Sequence, residues 1–154
     1  MSEKNKVWIL GPCSMENENL FFHCLDYISS IMEPDDNWFM KASFDKANRT
    51  SLDGGRGPGL DQSLQIWREC KSKYPNIKLT TDVHECWQVE KLTEVIDLIQ
   101  IPAFLCRQTD LIVECAKNFK AINIKKGQWI GPNNLIVSVD KIKSTNAECE
   151  AWIC

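Results

Sequence analysis

The sequence has no long apolar run and no large surplus of charge of either sign. Without about 18 consecutive apolar residues it predicts no membrane span. Residues 1–6 lack the apolar core of a secretory signal, so we expect a cytoplasmic protein. Basic residues number 18 against 21 acidic ones, which argues against a nucleic-acid or membrane-surface partner held by overall charge. Any attraction for anions must therefore be local.

Paired-cysteine motifs are also missing, although the chain has eight cysteines. The C-x-x-C spacing typical of zinc modules does not occur, and disulfides are not expected in a protein that is not secreted. Cys24, Cys70 and Cys115 fall within helical patterns, where a small buried hydrophobe is the ordinary role. Cys13 differs because it follows a Gly-Pro turn at the end of an apolar run. It is either a buried thiol on that turn or a metal ligand.

Strand and helix patterns alternate along the chain. Predicted strands begin near residues 7, 37, 78, 97, 121 and 150, with amphipathic helical segments between most of them. This spacing is typical of βα units, so we expect an α/β protein with a parallel sheet in a single domain over residues 1–154. The G-x-G-x-x-G motif is absent after the first strand, which weakens a dinucleotide-binding interpretation.

Polar or reactive side chains follow five of the predicted strands. They are Cys13, Lys41 with Ser43, Asp82 with His84, Gln100, and Lys125 with Lys126. Residues two apart share a face of a strand, so each of the pairs 41/43 and 82/84 should project together. Functional groups at the carboxyl ends of consecutive parallel strands are the arrangement of a (β/α)₈ barrel. Because that barrel needs roughly 250 residues, we expect an incomplete one of about five βα units plus a sixth strand.

The segment 41–51 is the strongest candidate for a binding site. It carries three cations, three hydroxyls, an amide and a carboxylate directly after the apolar run 38–40. A solvated basic loop is the alternative. If the cations of segment 41–51 converged with Lys125 and Lys126, all these charges would repel one another unless an anion neutralised them. We therefore expect a small polyanionic ligand, such as a sugar phosphate or a phosphorylated acid. Arg49 offers bidentate phosphate recognition, and Asn48, Gln100 and Gln128 can recognise hydroxyls or a carboxylate.

Other candidates have ordinary structural alternatives. The glycine-rich loop 53–59 lacks the lysine of a P-loop, so it predicts a flexible turn with a possible anion contact at Arg56. His84 could bind a metal, with Asp82 orienting it. His23 lies in a helical pattern and Trp67 on an apolar helical face, so both are expected to be structural.

Six motifs occur in order along the chain. They are Gly11–Cys13, Lys41–Arg49, Arg56–Leu60, Thr81–Glu85, Gln100–Leu111 and Asn123–Gln128. Together they resemble the signature of the 3-deoxy-D-manno-octulosonate 8-phosphate synthases, and the resemblance runs from about Val7 to the last residue. It implies a (β/α)₈ barrel and a transferase of lipopolysaccharide sugar biosynthesis. That enzyme condenses phosphoenolpyruvate with D-arabinose 5-phosphate in an aldol-type reaction and releases phosphate.

The resemblance also implies roles for individual residues. Catalysis would involve Lys41, Lys46, Asp82 and His84. Phosphoenolpyruvate would be held by Lys41, Lys46, Gln100 and Lys125, against the backbone of Ala103 and Phe104. The sugar phosphate would be bound by Asn48, Arg49 and Thr50, with Ser43, Arg107 and Gln128 completing the substrate-binding set. In this family that site reaches across a subunit interface, so a homo-oligomer is implied. Cys13 matches the members that depend on a divalent metal of the zinc, iron or manganese class.

Two departures from the family pattern stand out. The segment 51–55 reads Ser-Leu-Asp-Gly-Gly where the family has a histidine-containing run, and its two glycines make it looser. The chain also ends as the sixth strand begins, before the family's phosphate-binding arginine and remaining metal ligands. The alternatives are therefore an inactive truncated remnant or one half of a split synthase that binds phosphorylated ligands weakly. We expect no phosphate release by the isolated chain.

Overall fold

The computed structural model describes residues 6–154. Strands and helices alternate as the sequence predicts. The strands are β1 (Val7–Ser14), β2 (Asn37–Ser43), β3 (Lys78–Asp82), β4 (Leu98–Ile101), β5 (Ala121–Ile124) and β6 (Glu150–Ile153). The helices are α1 (Glu18–Ile31), α2 (Leu60–Lys73), α3 (Cys86–Leu92), α4 (Thr109–Asn118) and α5 (Ile136–Thr145). Short 3₁₀ helices lie at Ala103–Leu105 and Pro132–Leu135. Across residues 6–154, every helix falls short of the length and apolarity that a membrane span requires.

The chain divides into two compact units, one ending at Thr81 and the other beginning at Asp82. In the first, β1 pairs in parallel with β2, and β2 pairs in parallel with β3. Trp67 of α2 is fully buried, which confirms its predicted role in packing. The apolar run 7–10 predicts that β1 is buried, and this is wrong at its start, where Val7 and Trp8 are 40% and 44% exposed. The physical reason is that, within the described residues, β1 pairs on one side only.

In the second unit, β4 pairs in parallel with β5 and β5 with β6, again in chain order. Parallel strands in chain order, joined by helices, are the construction of a partial (β/α) barrel. Two local expectations need correction. Thr109 and Asp110 are residue types that commonly cap helices, so the sequence predicts that one of them caps α4. In the structure the N-cap is Gln108, without a side-chain capping bond. The Thr109 hydroxyl instead accepts a hydrogen bond from Lys141 Nζ at 2.7 Å.

The second correction concerns the segment after Pro132, where the sequence predicts one helix with Leu135, Ile136, Val139 and Ile142 on a single apolar face. A 3₁₀ turn precedes α5, and Ile136 at the junction is exposed. Because a 3₁₀ turn advances about 120° per residue instead of about 100°, it shifts which side chains face inward. Leu135 and Ile142 are buried as expected, and Ser138 is buried with them. The Ser138 hydroxyl is satisfied by donating to the Cys106 carbonyl at 2.6 Å.

All eight cysteines are free thiols. Cys70 and Cys115 are fully buried, as expected for small hydrophobes within helices, while Cys24 is half-buried. Burial raises the pKa of Cys70 to about 11 and also raises the pKa values of Cys115 and Cys149. These thiols therefore stay protonated at neutral pH.

We expect the free energy of unfolding to fall between about pH 9 and pH 11. The Cys70 pKa is about 11 in the folded chain against an ordinary 9.0, so unfolding releases a proton throughout that range. The stabilising contribution is complete below the lower value and is lost as pH rises through the upper one. Urea unfolding of the wild type and Cys70→Val at about pH 8 and about pH 10.5 tests this. The variant should lose less stability on alkalinisation, and equal losses would contradict the prediction.

Candidate substrate site

A bulge near the end of β1 places Cys13. The register between β1 and β2 shifts between Leu10 and Cys13, and Cys13 has φ +67°, a left-handed conformation that is uncommon outside glycine. Just before Cys13, Gly11 allows the backbone of β1 to lie very close to the backbone of β2. A Cβ at position 11 would lie 2.1 Å from the Lys41 carbonyl oxygen, so no other residue fits without moving a strand. The bulge carries Cys13 to the carboxyl end of β2, where it lies opposite Ala42. Its side chain is exposed, so the alternative of a buried thiol is wrong.

Four residues meet at this end of β1 and β2, and we call Cys13, Lys41, Ser43 and Lys46 the lysine cluster. Lys41 Nζ donates to Ser43 Oγ at 3.1 Å, which confirms that these two side chains share a face of β2. Lys46 Nζ donates to the same hydroxyl oxygen at 3.2 Å and contacts Cys13 Sγ at 3.2 Å. Lys41 is only 8% exposed and Ser43 is fully buried. The cluster therefore holds two ammonium groups around one oxygen.

This arrangement favours an anionic ligand. Two ammonium groups that contact the same oxygen repel each other by about 3 kcal/mol at an effective dielectric constant of about 20. The Ser43 hydroxyl accepts from both but carries no charge. A phosphate or carboxylate in contact with both groups would remove the repulsion and form charge-assisted hydrogen bonds.

The loop after β2 is closed by an ion pair. Arg56 Nε donates to Asp45 Oδ1 at 2.8 Å, and Arg56 Nη2 donates to Oδ2 of the same carboxylate. The Lys46 backbone N–H donates to the Arg56 carbonyl at 2.7 Å. Arg56, suggested from the sequence as an anion contact, thus holds Asp45 instead. The pair anchors the backbone from which the Lys46 side chain extends.

Arg49, Asn48 and Thr50 lie on the exposed part of this loop. Arg49 Nε donates to the Gly55 carbonyl at 2.9 Å. Its two terminal nitrogens make no hydrogen bond to residues 6–154. In arginine side chains generally, two guanidinium nitrogens can bind one phosphate in a bidentate manner. The predicted chemistry of Arg49 is therefore compatible with its position.

A second group of polar side chains is buried in the unit that begins at Asp82, and we call Asp82, Gln100 and Asn123 the amide chain. Gln100 Nε2 donates to Asp82 Oδ1, and Asn123 Nδ2 donates to Gln100 Oε1 at 3.0 Å. Gln100 and Asn123 are 3% and 2% exposed. Sequence reasoning selected Asp82 and Gln100 but missed Asn123. The sequence did contain a signal, because this asparagine interrupts the apolar run that forms β5. In the structure it lies opposite Gln100 of β4.

The other predicted site residues of this unit are partly buried or exposed. His84 is half-buried, and its backbone N–H donates to Gln88 Oε1 at 2.9 Å. Its orientation by Asp82 stays a prediction. Lys125 and Gln128 are exposed. Lys126 donates to the carbonyls of its own loop, at residues 127 and 130, so its predicted part in binding an anion has no support here.

The segment that follows β4 supplies three further candidates. Phe104 is exposed and stacks on Trp129 with ring centroids 5.2 Å apart. Ala103 is half-buried. Arg107 has an exposed side chain, and its carbonyl accepts a hydrogen bond from Lys141 at 3.1 Å. These contacts fix the backbone after β4 and leave the Arg107 side chain at the surface.

A metal site is not complete among the described residues. Within residues 6–154, no three His, Cys, Asp or Glu side chains come together as metal ligands. A catalytic metal ordinarily has three protein ligands, and Cys13 by itself does not fit that requirement. No chemical step is therefore assigned to a metal.

Comparison with known proteins identifies the family. The model of the DAHP synthetase I family matches residues 2–153. The chain is 47% identical over 150 residues to the 2-dehydro-3-deoxyphosphooctonate aldolase of Wolinella succinogenes, covering 94% of this chain and 55% of that protein. Identity to the protein of the same name from Campylobacter jejuni is 45% over 143 residues, covering 92% of this chain and 52% of that protein. The chain thus spans about half the length of the curated relatives it matches. It belongs to the DAHP synthetase I family.

Proposed function

We propose that this chain binds phosphoenolpyruvate and D-arabinose 5-phosphate. It would supply groups for their aldol-type condensation to 3-deoxy-D-manno-octulosonate 8-phosphate, a reaction that consumes one water molecule and releases phosphate. The observation that carries the proposal is the Ser43 hydroxyl held between the ammonium groups of Lys41 and Lys46. The substrate class comes from the relatives, whose name is that of an aldolase of a phosphorylated octonate.

Phosphoenolpyruvate suits the lysine cluster because it is small and carries both a phosphate and a carboxylate. Lys41 and Lys46 would each donate to its anionic oxygens and stabilise charge that develops as phosphate leaves. Gln100 would add an amide donor and Lys125 a further cation, with the backbone at residues 103 and 104 against the ligand. Asp82 and His84 are assigned to catalysis by the resemblance. The buried position of Lys41 supports a strong contact, since little water competes there.

Arabinose 5-phosphate would be bound through the exposed loop after β2. The terminal nitrogens of Arg49 provide a fork for its phosphate, and Asn48 and Thr50 provide neutral hydrogen bonds. Ser43, Arg107 and Gln128 complete the proposed set. The Asp45–Arg56 pair supports this role indirectly, because it anchors the loop that carries Arg49.

Three further expectations stay predictions. One is a divalent metal with Cys13 as a ligand, although the described residues do not form a complete site. Another is a homo-oligomer in which the sugar phosphate is bound across a subunit interface. The third is a cytoplasmic location.

A chimera tests the proposed function. Residues 1–154 would replace the matching part of the Wolinella succinogenes relative, and phosphate release from phosphoenolpyruvate would be measured with and without arabinose 5-phosphate. We expect sugar-dependent release, abolished by Lys46→Met and shifted to a higher KM for the sugar by Arg49→Gln. A folded chimera without activity, beside an active parent protein, would contradict the proposal.

A further inference from the structure

The amide chain places three polar side chains in the buried part of the second unit, where each needs a hydrogen-bond partner. Burying side-chain amides and a carboxylate costs free energy unless their hydrogen bonds are made. Here Gln100 is bonded at both ends, to Asp82 through Nε2 and to Asn123 through Oε1. Asn123 is itself buried, between Ile122 and Ile124 on β5. Because a buried amide must be satisfied by other buried groups, the asparagine is explained by its bond to Gln100 and not by contact with water.

The chemistry of the three side chains fixes the direction of the hydrogen bonds. An ionised carboxylate only accepts, so the nitrogen of the Gln100 amide must face Asp82. The Gln100 oxygen then faces Asn123, which must present its own nitrogen. Asp82 thus sets the orientation of the Gln100 amide, and Asn123 completes it by donating to the oxygen at the opposite end. Without Asn123, the Gln100 oxygen would be buried without a donor.

We propose that Asn123 is a positioning residue that fixes the Gln100 amide so that its nitrogen is presented to an anionic substrate. The Gln100 nitrogen has two hydrogens, and one of them is used by Asp82. The other has no acceptor within residues 6–154. A substrate phosphate or carboxylate oxygen would accept it, whereas a reversed amide would present an oxygen and repel the anion. This inference rests on the proposed function for its ligand, phosphoenolpyruvate.

The test uses two variants of the full 154-residue chain. Asn123→Leu removes the donor at similar size. The double variant Asp82→Asn with Asn123→Asp moves the carboxylate from one end of the Gln100 amide to the other. Both hydrogen bonds of Gln100 can then form with its amide reversed, so that its nitrogen faces position 123 and its oxygen faces position 82. Ile122→Val is the control, since it trims a buried neighbour on β5 without touching the amide chain. The readouts are the Kd for phosphoenolpyruvate, the Tm, and the side-chain amide signals of Gln100 in NMR spectra.

We expect Asn123→Leu to shift the Gln100 amide signals and to weaken binding about tenfold. The double variant should keep a Tm near that of the wild type and still bind weakly, although it carries less negative charge at position 82. Ile122→Val should retain wild-type binding and signals. Wild-type affinity in Asn123→Leu or in the double variant would overturn the inference. If Asn123→Leu fails to fold, the double variant decides.

The proposed function and this inference fail in different ways. If the wild type does not bind phosphoenolpyruvate, the proposed function is contradicted. The NMR signals then still test the orientation of Gln100. Unchanged Gln100 amide signals in both the Leu variant and the double variant would show that Asn123 does not position this side chain.

Discussion

Replacing Lys41 with methionine is expected to weaken phosphoenolpyruvate binding by about a hundredfold. Lys41 is almost completely buried and directs its ammonium group at Ser43 Oγ, 3.1 Å away. A charge-assisted hydrogen bond in such a site is worth about 3 kcal/mol, which corresponds to a factor of about 100 in Kd. Methionine has a similar unbranched shape, so the packing of β2 should be retained. Titration calorimetry measures the change in Kd directly.

The same substitution should leave a chain that still folds and unfolds cooperatively. Methionine keeps most of the length of the side chain, and removing one of two neighbouring ammonium groups relieves their repulsion. Loss of binding in a chain that still folds separates a binding role from a structural one. Lys117→Met is the matched control, since Lys117 is an exposed residue of α4 that pairs with Glu114 at 3.3 Å. Unchanged affinity in Lys41→Met, or equal losses in both variants, would contradict the assignment.

Gly11→Ala is expected to cost at least about 3 kcal/mol of stability. The new Cβ would lie 2.1 Å from the Lys41 carbonyl oxygen, and position 11 has φ +151°, which side-chain-bearing residues rarely adopt. Neither problem can be relieved by turning a flexible side chain, because the obstacle is the backbone of β2. The strand would have to move, and Cys13 and Lys41 would move with it. Urea unfolding gives the change in free energy.

Gly55→Ala is the control for this prediction. A Cβ at Gly55 would meet no atom within 4 Å, and its carbonyl bond to Arg49 would be kept. We expect a change within about 0.5 kcal/mol. If Gly11→Ala and Gly55→Ala unfold at the same urea concentration, the close approach of β1 and β2 at the bulge is not as described.

Several features of the site follow directly from local pattern. The alternation of side chains along a strand is enough to place Lys41 and Ser43 on one face, and their hydrogen bond confirms it. The order of strand and helix patterns is enough to predict parallel pairing within each unit. Both predictions depend on residues that are close in the sequence, or on a regular repeat of elements.

Other features depend on contacts between distant residues and were missed. Asn123 gains its role from Gln100, which lies opposite it on another strand. Arg56 was considered an anion contact, yet Asp45 occupies its guanidinium group. The left-handed conformation of Cys13 accompanies a bulge of β1 against β2, beside which the Lys41 carbonyl leaves no room for a Cβ at position 11. The convergence of Lys41, Arg49 and Lys125 at one rim stays a prediction.

The most direct test of the central claim is a crystal structure of the chain soaked with phosphoenolpyruvate. The proposed role of the lysine cluster predicts anionic oxygens of the ligand within about 3 Å of both Lys41 Nζ and Lys46 Nζ. Ligand bound elsewhere, with neither Lys41 Nζ nor Lys46 Nζ in contact with it, would contradict this role.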